Sequence, residues 1–146
     1  MSEPELRLQW LTIDDLADLE RASDLFDAPV RRDWARRFLG QDNHHLCLAW
    51  IGAQPVGFVS GVEMTHPDKG TELFLYELGV AESAQAKGVG SALVEALTER
   101  GLERGCYDMW TLTDADNAAA RATYRKAGAD TEETDLVMPV WELDVD

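Results

Sequence analysis

The chain has 146 residues and 45% hydrophobic content, which fits one globular domain and excludes a disordered protein. It carries 13 Lys and Arg against 28 Asp and Glu, a net charge of −15 that excludes nucleic acid as an expected partner. No run approaches the roughly 20 apolar residues that cross a membrane, and the acidic residues 1–5 do not resemble a secretion signal. We therefore expect a cytoplasmic protein without a membrane partner.

The acidic composition has two explanations, and the sequence leaves both open. Carboxylates around a cleft would concentrate a cationic small molecule. An acid-rich or halophilic proteome would instead keep surface carboxylates for solubility.

The cysteines and histidines give no sign of a metal or redox centre. Cys47 and Cys106 stand among apolar residues and are expected to be reduced core thiols. The three histidines are not spaced with carboxylates as metal ligands are, so we expect no metal site.

The first part of the chain predicts a strand, two helices and a hairpin. Thr12 is placed to cap the first helix, which Pro29 ends, and Gly40 closes the second. The predicted bounds are a strand over 6–11, a second helix over 30–39, and hairpin strands over 46–51 and 55–64.

The second part predicts strands over 72–80 and 108–113, a helix over 89–104, and another helix that begins near Asn117. The buried face of the long helix is expected to carry Leu93, Val94, Leu97 and Leu102. A last strand over 137–145 would close the sheet, with Pro139 indicating an edge or a bulge. Alternating strands and helices predict a single mixed α/β domain over residues 1–146.

A glycine turn, Gln85-Ala86-Lys87-Gly88-Val89-Gly90, joins the strand over 72–80 to the long helix. Unpaired N–H groups at a helix start, with the positive end of the helix dipole, form a site for a phosphate. The spacing excludes a P-loop, which has four residues between its glycines and then Gly-Lys-Ser/Thr. It also excludes the dinucleotide fingerprint, whose third glycine would replace Leu93. Both glycines are expected to let an anion reach the backbone.

The pattern Gln-x-x-Gly-x-Gly resembles the acetyl-CoA pyrophosphate loop of the GCN5-related N-acetyltransferases (GNAT). Residues 117–128 are similar to the family's Asn-x-x-Ala-x-x-x-Tyr-x-x-x-Gly helix, so the resemblance covers roughly the last two thirds of the chain. It implies a single-domain GNAT fold, with a mixed sheet of six to seven strands and about four helices, and acetyl-CoA as cosubstrate. Gln85 stands where arginine is also common, and Ala129 where phenylalanine is usual.

Two residues are expected to be catalytic. Glu77 is the expected general base, because a carboxylate inside an apolar strand is costly without a partner. Alternation places Glu77 and Gly79 on one face of the strand. The resemblance implies that Tyr124 is the general acid, which protonates the departing CoA sulfur. The structural alternatives are a paired or solvated carboxylate for Glu77 and core packing for Tyr124.

The resemblance also implies which residues bind the cofactor. The backbone of Leu78 and Val80 would pair with the pantetheine arm, and the Leu78 N–H is the expected oxyanion donor. Lys87, Arg121, Arg125 and Lys126 would add positive charge near the phosphates. The expected cofactor contacts are Leu78, Val80, Gln85, Ala86, Lys87, Gly88, Val89, Gly90, Ser91, Asn117 and Tyr124.

The strand over 73–80 resembles that of the small GNAT-type aminoglycoside 3-N-acetyltransferases, which implies an aminoglycoside as acetyl acceptor. The residues expected around this polycation are Glu72, Glu77, Glu132, Glu133 and Asp135, for which solvated positions are the alternative. Other amines remain open: a protein N-terminus, a lysine, a polyamine or an amino acid. An acyl-CoA-binding protein without turnover is a further alternative. Family members are often dimers, so a homodimer is expected by analogy.

Overall fold

A computed structural model of the chain describes residues 5–145. One mixed sheet has the order β1-β2-β3-β4-β5, antiparallel from β1 to β4 and parallel between β4 and β5. The strands are β1 Leu6–Trp10, β2 His44–Ile51, β3 Gln54–His66, β4 Gly70–Val80 and β5 Asp108–Trp110. The helices are α1 Leu16–Arg21, α2 Arg32–Leu39, α3 Val89–Glu103 and α4 Ala118–Lys126.

Helices cover both faces of the sheet, and β2 shows why. Its side chains alternate between the two faces, as those of any strand do. Leu48 and Trp50 belong to the core under α1 and α2, the α1/α2 face, whereas Cys47 and Ala49 belong to the core under α3, the α3 face. Both faces are therefore buried, which explains why β2 is an almost continuous apolar run.

A bulge at Tyr76 divides β4. Ser60 of β3 pairs with Glu77 and Gly61 pairs with Leu75, so Tyr76 is an extra residue without a partner on β3. An extra residue in one strand reverses the alternation of the side chains beyond it. A face of β4 that carries odd-numbered residues before Tyr76 therefore carries even-numbered residues after it.

The core contacts of β4 show this reversal. Leu73 and Leu75, before the bulge, pack in the core of the α3 face, and so do Leu78 and Val80 beyond it. Gly79 points to the α1/α2 face, where an added Cβ would lie 2.6 Å from the ring of Phe58. The predicted alternation is thus correct from residue 77 onward, and Glu77 lies on the α1/α2 face.

Most predicted elements are confirmed. The hairpin is β2 and β3, joined by two residues between Ile51 and Gln54. Thr12 caps the first helical turn in a capping box with Asp15, although that turn is a 3-10 helix, Ile13–Asp15, ahead of α1. Gly40 ends α2. Cys47 is a buried free thiol and Cys106 is a partly exposed one.

Four predictions about the sheet and its helix are wrong. The sheet in residues 5–145 has five strands and not six to seven, and residues 137–145 form none. Strand β5 ends at Trp110 and not at residue 113. Alternation of apolar and polar residues shows only that a segment is able to form a strand. A strand also needs a neighbouring strand, and none in the described chain pairs with residues 137–145. Leu102 is 72% exposed, since it lies five residues after Leu97 and about 140° around the helix.

No helix within residues 5–145 has the length and apolar character needed to cross a bilayer.

Candidate active site

The start of α3 presents free backbone donors. The first helical hydrogen bond runs from the Ala92 N–H to the Gly88 carbonyl oxygen at 3.1 Å, so the N–H groups of residues 88–91 have no acceptor in the helix. None of the side chains of residues 5–145 caps this helix. Ala86 and Gly88 both have a left-handed backbone, with φ of 66° and 81°. Backbone N–H groups that turn together in such conformations form a concave anion site, and the helix dipole adds to it.

The two glycines of this turn have different roles. Gly88 needs its positive φ, and an added Cβ there would meet no atom within 4 Å, so the space beside it is open. At Gly90 an added Cβ would lie 3.2 Å from Thr123 Cγ2 and 3.7 Å from Val80 Cγ2. The absence of a side chain at Gly90 therefore also lets α3 pack closely against α4 and β4.

Strands β4 and β5 separate after three residue pairs. The two strands pair only from Glu72 with Asp108 to Phe74 with Trp110. The Thr111 hydroxyl then donates to the Leu75 carbonyl oxygen at 2.9 Å. Beyond this bond, among the residues described, β4 has a neighbouring strand on the β3 side alone. The backbone of residues 76–80 is therefore an open strand edge, to which an extended ligand could add.

Tyr124 extends from α4 toward Thr111, where β4 and β5 separate. Asn117 caps the helix, since its Oδ1 accepts the Ala120 N–H at 3.1 Å. Tyr124 is half-buried and packs with Leu78 and Val80 against the core of the α3 face. Burial raises the pKa of Tyr124, and a hydrogen bond with the Thr111 hydroxyl partly offsets the rise. The phenol is therefore protonated at neutral pH and can act as a proton donor.

Glu77 lies on the opposite face of the same strand segment. Burial raises the pKa of Glu77, and the negative charge of Asp27 raises it further. Asp27 belongs to the loop between α1 and α2. This loop approaches β4 because Gly79 has no side chain: an added Cβ would lie 3.1 Å from the Leu25 carbonyl oxygen. An ammonium group beside Glu77 would therefore be attracted by two carboxylates.

Of the other acidic residues expected around the substrate, Glu72 lies away from Glu77. Glu72 is at the far end of β4, five residues and about 16 Å from Glu77 along the strand. It pairs with Asp108 across the sheet. Burial raises the pKa of Asp108, and the negative charge of Glu72 raises it further. Glu133 and Asp135 are exposed in the segment that follows α4.

Glu132 is already neutralised within the protein. Its carboxylate accepts hydrogen bonds from the Nε atoms of Arg125 and Arg121, the latter at 2.7 Å. These bonds lower the pKa of Glu132, with Arg125 as the largest cause. Glu72 therefore lies away from Glu77, and the carboxylate of Glu132 is already paired. Arg121 and Arg125 have a partner other than a phosphate.

Sequence analysis missed Asp27 and Thr111. Asp27 is far from Glu77 in the sequence, and only the path of the loop over Gly79 brings its charge close. Thr111 stands in a segment predicted as a regular strand, where its hydroxyl has no special meaning. No group of three or more His, Cys, Asp and Glu side chains within residues 5–145 could hold a metal ion.

Comparison with known proteins identifies the family of the chain. Residues 10–129 match the model of the acetyltransferase (GNAT) family. The chain belongs to the GNAT family. This confirms the resemblance seen in the glycine turn and the tyrosine helix.

The curated relatives of this GNAT are acetyltransferases with different names. The chain is 28% identical over 100 residues to the L-2,4-diaminobutyric acid acetyltransferase of Nocardia farcinica, covering 66% of this chain and 49% of that protein. It is 40% identical over 62 residues to the mycothiol acetyltransferase of Saccharomonospora viridis, covering 42% of this chain and 20% of that protein. The chain thus spans between a fifth and a half of the length of these relatives.

Solved structures of aminoglycoside acetyltransferases share the fold of this GNAT. One, meta-AAC0020 from an uncultured soil sample, was solved with sisomicin; its TM-score is 0.86 at 20% identity, covering 95% of this chain and 97% of that one. Another soil enzyme, HMB0005, has a TM-score of 0.78 at 26% identity, with 94% and 99% covered. AAC(6')-Iy, solved with CoA, has a TM-score of 0.78 at 19% identity, with 97% of each chain covered.

Proposed function

We propose that this GNAT transfers the acetyl group of acetyl-CoA to a primary amine of a polycationic small molecule, with an aminoglycoside as the first candidate. One observation carries the proposal. A single stretch of β4, residues 77–80, has the free donors of α3 at its end, Tyr124 against one face and Glu77 on the other. A thioester and an amine that approached this stretch from its two sides would meet at one point.

The residues of this stretch supply what the reaction needs. An alkylamine has a pKa of about 10.4, so a base must take its proton before it can attack. Glu77, whose pKa is raised, accepts that proton. The amine nitrogen then bonds to the thioester carbon, and the Leu78 N–H is the proposed donor to the oxyanion. As the carbon–sulfur bond breaks, Tyr124 donates its phenolic proton to the departing sulfur.

The cofactor contacts follow from the same arrangement. The N–H groups of residues 88–91 would bind the pyrophosphate, with Lys87 as the nearby exposed cation. The open edge of β4 would pair with the pantetheine arm through Leu78 and Val80. The remaining predicted contacts are Gln85 and Ala86 in the glycine turn and Asn117, which caps α4.

Three features favour a polycationic acceptor. Asp27 adds a second carboxylate beside Glu77. Tyr76 is 66% exposed at the bulge next to Glu77, where its ring could receive an ammonium group by a cation–π contact. The net charge of −15 would attract a polycation over a longer distance at low salt. Acetylation of the 3-amino group is our prediction for the position.

A panel of acceptors tests the proposal. Release of the CoA thiol is followed with aminoglycosides, spermidine, 2,4-diaminobutyrate, and peptides that offer a lysine or a free N-terminus. We expect the highest kcat/KM with an aminoglycoside, and NMR of its product locates the acetylated nitrogen. A peptide that turns over while every aminoglycoside is inert would refute the proposed substrate.

The similarity to the diaminobutyric acid enzyme favours one second candidate, an amino acid with a side-chain amine. In that case diaminobutyrate would exceed the aminoglycosides in kcat/KM. A chain that acetyl-CoA stabilises against heat, but that acetylates no member of the panel, would instead be a binding protein.

A further inference from the structure

The part of the α1/α2 face that β4 and β5 form lies outside the core under α1 and α2. That core is built on β2 and β3, where Leu48, Trp50 and Phe58 are buried. Within residues 5–145, none of the apolar side chains of β4 and β5 belongs to it. The surface next to Glu77 on this face is therefore available to a ligand.

Three aromatic side chains stand on this surface, and we call them the aromatic strip: Phe74, Tyr76 and Trp110. Met109 packs against the core of the α3 face, so the next residue, Trp110, points to the α1/α2 face. Phe74 pairs with Trp110 across the sheet and shares that face. The ring of Tyr76 meets the ring of Phe74 edge to face, with 5.8 Å between the centroids, so it lies on the same side.

The bulge places Tyr76 and Glu77 side by side on one face. In a regular strand consecutive side chains point to opposite faces. The extra residue at Tyr76 interrupts this alternation, so Glu77 stands on the face that carries Tyr76. The aromatic strip therefore starts at the proposed base and ends at Trp110, one strand away and about 10 Å back along β4.

The two outer rings of the strip are exposed but held in place. Tyr76 is 66% and Trp110 38% exposed. Half-buried Phe74 contacts both, and its centroid lies 4.5 Å from that of Trp110 at a tilt of 34°. Aromatic pairs in such geometries attract each other. Side chains that are already ordered lose little entropy when a ligand binds, so the strip is a preformed apolar surface.

We infer that the aromatic strip binds the rings of an aminoglycoside, with the ring that carries the reacting amine at Tyr76 and the next ring on Trp110. The inference rests on the proposed function, since it places that amine at Glu77. A saccharide ring has a face of C–H groups that packs on an aromatic ring, and its amino groups stand at its rim. Those amino groups match the carboxylates of Glu77 and Asp27 at one end of the strip.

Trp110 is then a specificity-determining residue. A linear polyamine satisfies the same carboxylates, but it has no ring face to lay on an indole. Removing the indole should therefore weaken the binding of a ring-containing acceptor and leave that of a linear one unchanged.

Calorimetric titrations in the presence of CoA test this inference, with sisomicin and spermidine as probes. In Trp110→Ala we expect Kd for sisomicin to rise about tenfold, the effect of losing roughly 60 Å² of apolar contact. Kd for spermidine should not change. Trp110→Phe keeps an aromatic ring and should restore most of the affinity for sisomicin. The loss in Trp110→Ala should persist at high salt, because salt screens charges and not apolar contacts.

Trp34→Ala is the matched control. Trp34 is 62% exposed on α2, where the Arg31 guanidinium carbon lies 3.9 Å from the centroid of its ring. Its loss should leave both Kd values unchanged. A measurement on the unchanged protein needs no variant: saturation of aromatic protons should transfer to the ring C–H protons of bound sisomicin. If sisomicin is acetylated, Trp110→Ala should raise its KM and leave kcat unchanged, since Trp110 lies away from the reacting atoms.

Three results would overturn the inference: unchanged binding of sisomicin to Trp110→Ala, an equal loss of affinity for sisomicin and spermidine, or no binding of sisomicin to the unchanged protein. The proposed function is judged by a different readout, the transfer of acetyl groups. Sisomicin that binds to the strip and is never acetylated would refute the aminoglycoside as substrate and leave the strip in place. Sisomicin that Trp110→Ala acetylates with an unchanged KM would do the reverse.

Discussion

Replacement of Glu77 by glutamine tests the catalytic assignment most directly. The change keeps the size of the side chain and its half-buried position, but removes its ability to accept a proton. General bases contribute about 10²- to 10⁴-fold to rates. We therefore expect kcat/KM to fall by that factor, which corresponds to about 3 to 5 kcal/mol of transition-state stabilisation. Initial rates of thiol release, measured with saturating acetyl-CoA and the best acceptor, give the ratio.

The pH dependence gives a second test of the same residue. The base must be ionised, so the rate of the unchanged enzyme should fall as pH drops through the pKa of Glu77. Because burial, and then Asp27, raise that pKa above the ordinary carboxyl value of 4.5, the fall should begin at a higher pH than for an exposed carboxyl group. The residual activity of Glu77→Gln should not show this fall in rate at low pH.

The same shift predicts that the Gln variant is the more stable protein. A raised pKa means that the folded state binds its proton more tightly than the unfolded state does. Stability therefore declines as pH rises from 4.5 through the folded pKa, where the buried group must ionise. The glutamine side chain does not ionise, so the stability of the variant does not decline in this way. Its Tm should equal that of the unchanged protein below pH 4.5 and exceed it at neutral pH.

Glu72→Gln is the matched control, since it removes a carboxylate from the same strand about 16 Å away. We expect its kcat/KM to stay within about threefold of the unchanged enzyme, because the residue touches no part of the proposed site. Equal losses in the two variants, or an unimpaired Glu77→Gln, would refute the assignment of Glu77 as the base.

The other predictions concern the rest of the site. Tyr124→Phe should lower kcat by about 10²-fold, the lower end of the range for proton donors, because a thiolate leaves more easily than an alkoxide; a KM effect alone would contradict the role of the phenol. Asp27→Asn should raise KM for a polycationic acceptor more than it changes kcat, and the difference should shrink with added salt. Gly90→Ala should raise KM for acetyl-CoA, because its Cβ would press on Thr123, and a second change, Thr123→Ala, should restore the value; failure of this rescue would refute the packing explanation. Ala86→Gly should stabilise the fold by up to about 1 kcal/mol in urea denaturation, since it relieves a positive φ of 66° at some entropic cost.

Local patterns predicted the elements well. The capping role of Thr12, the hairpin around Gly52 and the start of α3 at the glycine turn all depend on residues close in the sequence. Each follows from a propensity that acts over a few positions. The family match over residues 10–129 supports the motif-based interpretation.

Features that depend on distant residues were not predictable. The bulge at Tyr76 arises because Ser60 pairs with Glu77. The sequence of β4 alone does not indicate which of its residues has no partner on β3. The charge of Asp27 acts on Glu77 only because a loop crosses Gly79. Glu132 has acidic neighbours in sequence, but its partners in space are two arginines of α4. The missing last strand is the same kind of error, because alternation says nothing about the neighbour that a strand requires.

The extra residue at Tyr76 makes the length of β4 a determinant of its chemistry. Deleting one residue between Leu75 and Glu77 would leave a strand of similar composition. It would also rotate every later side chain by half a turn, which would send the carboxylate into the hydrocarbon interior and Leu78 and Val80 toward the acceptor. A substitution here changes the properties of one side chain, whereas an insertion or a deletion moves every later side chain of β4 to the opposite face of the sheet. Libraries that diversify this enzyme toward new acceptors should therefore vary residue type around position 76 and keep the number of residues fixed.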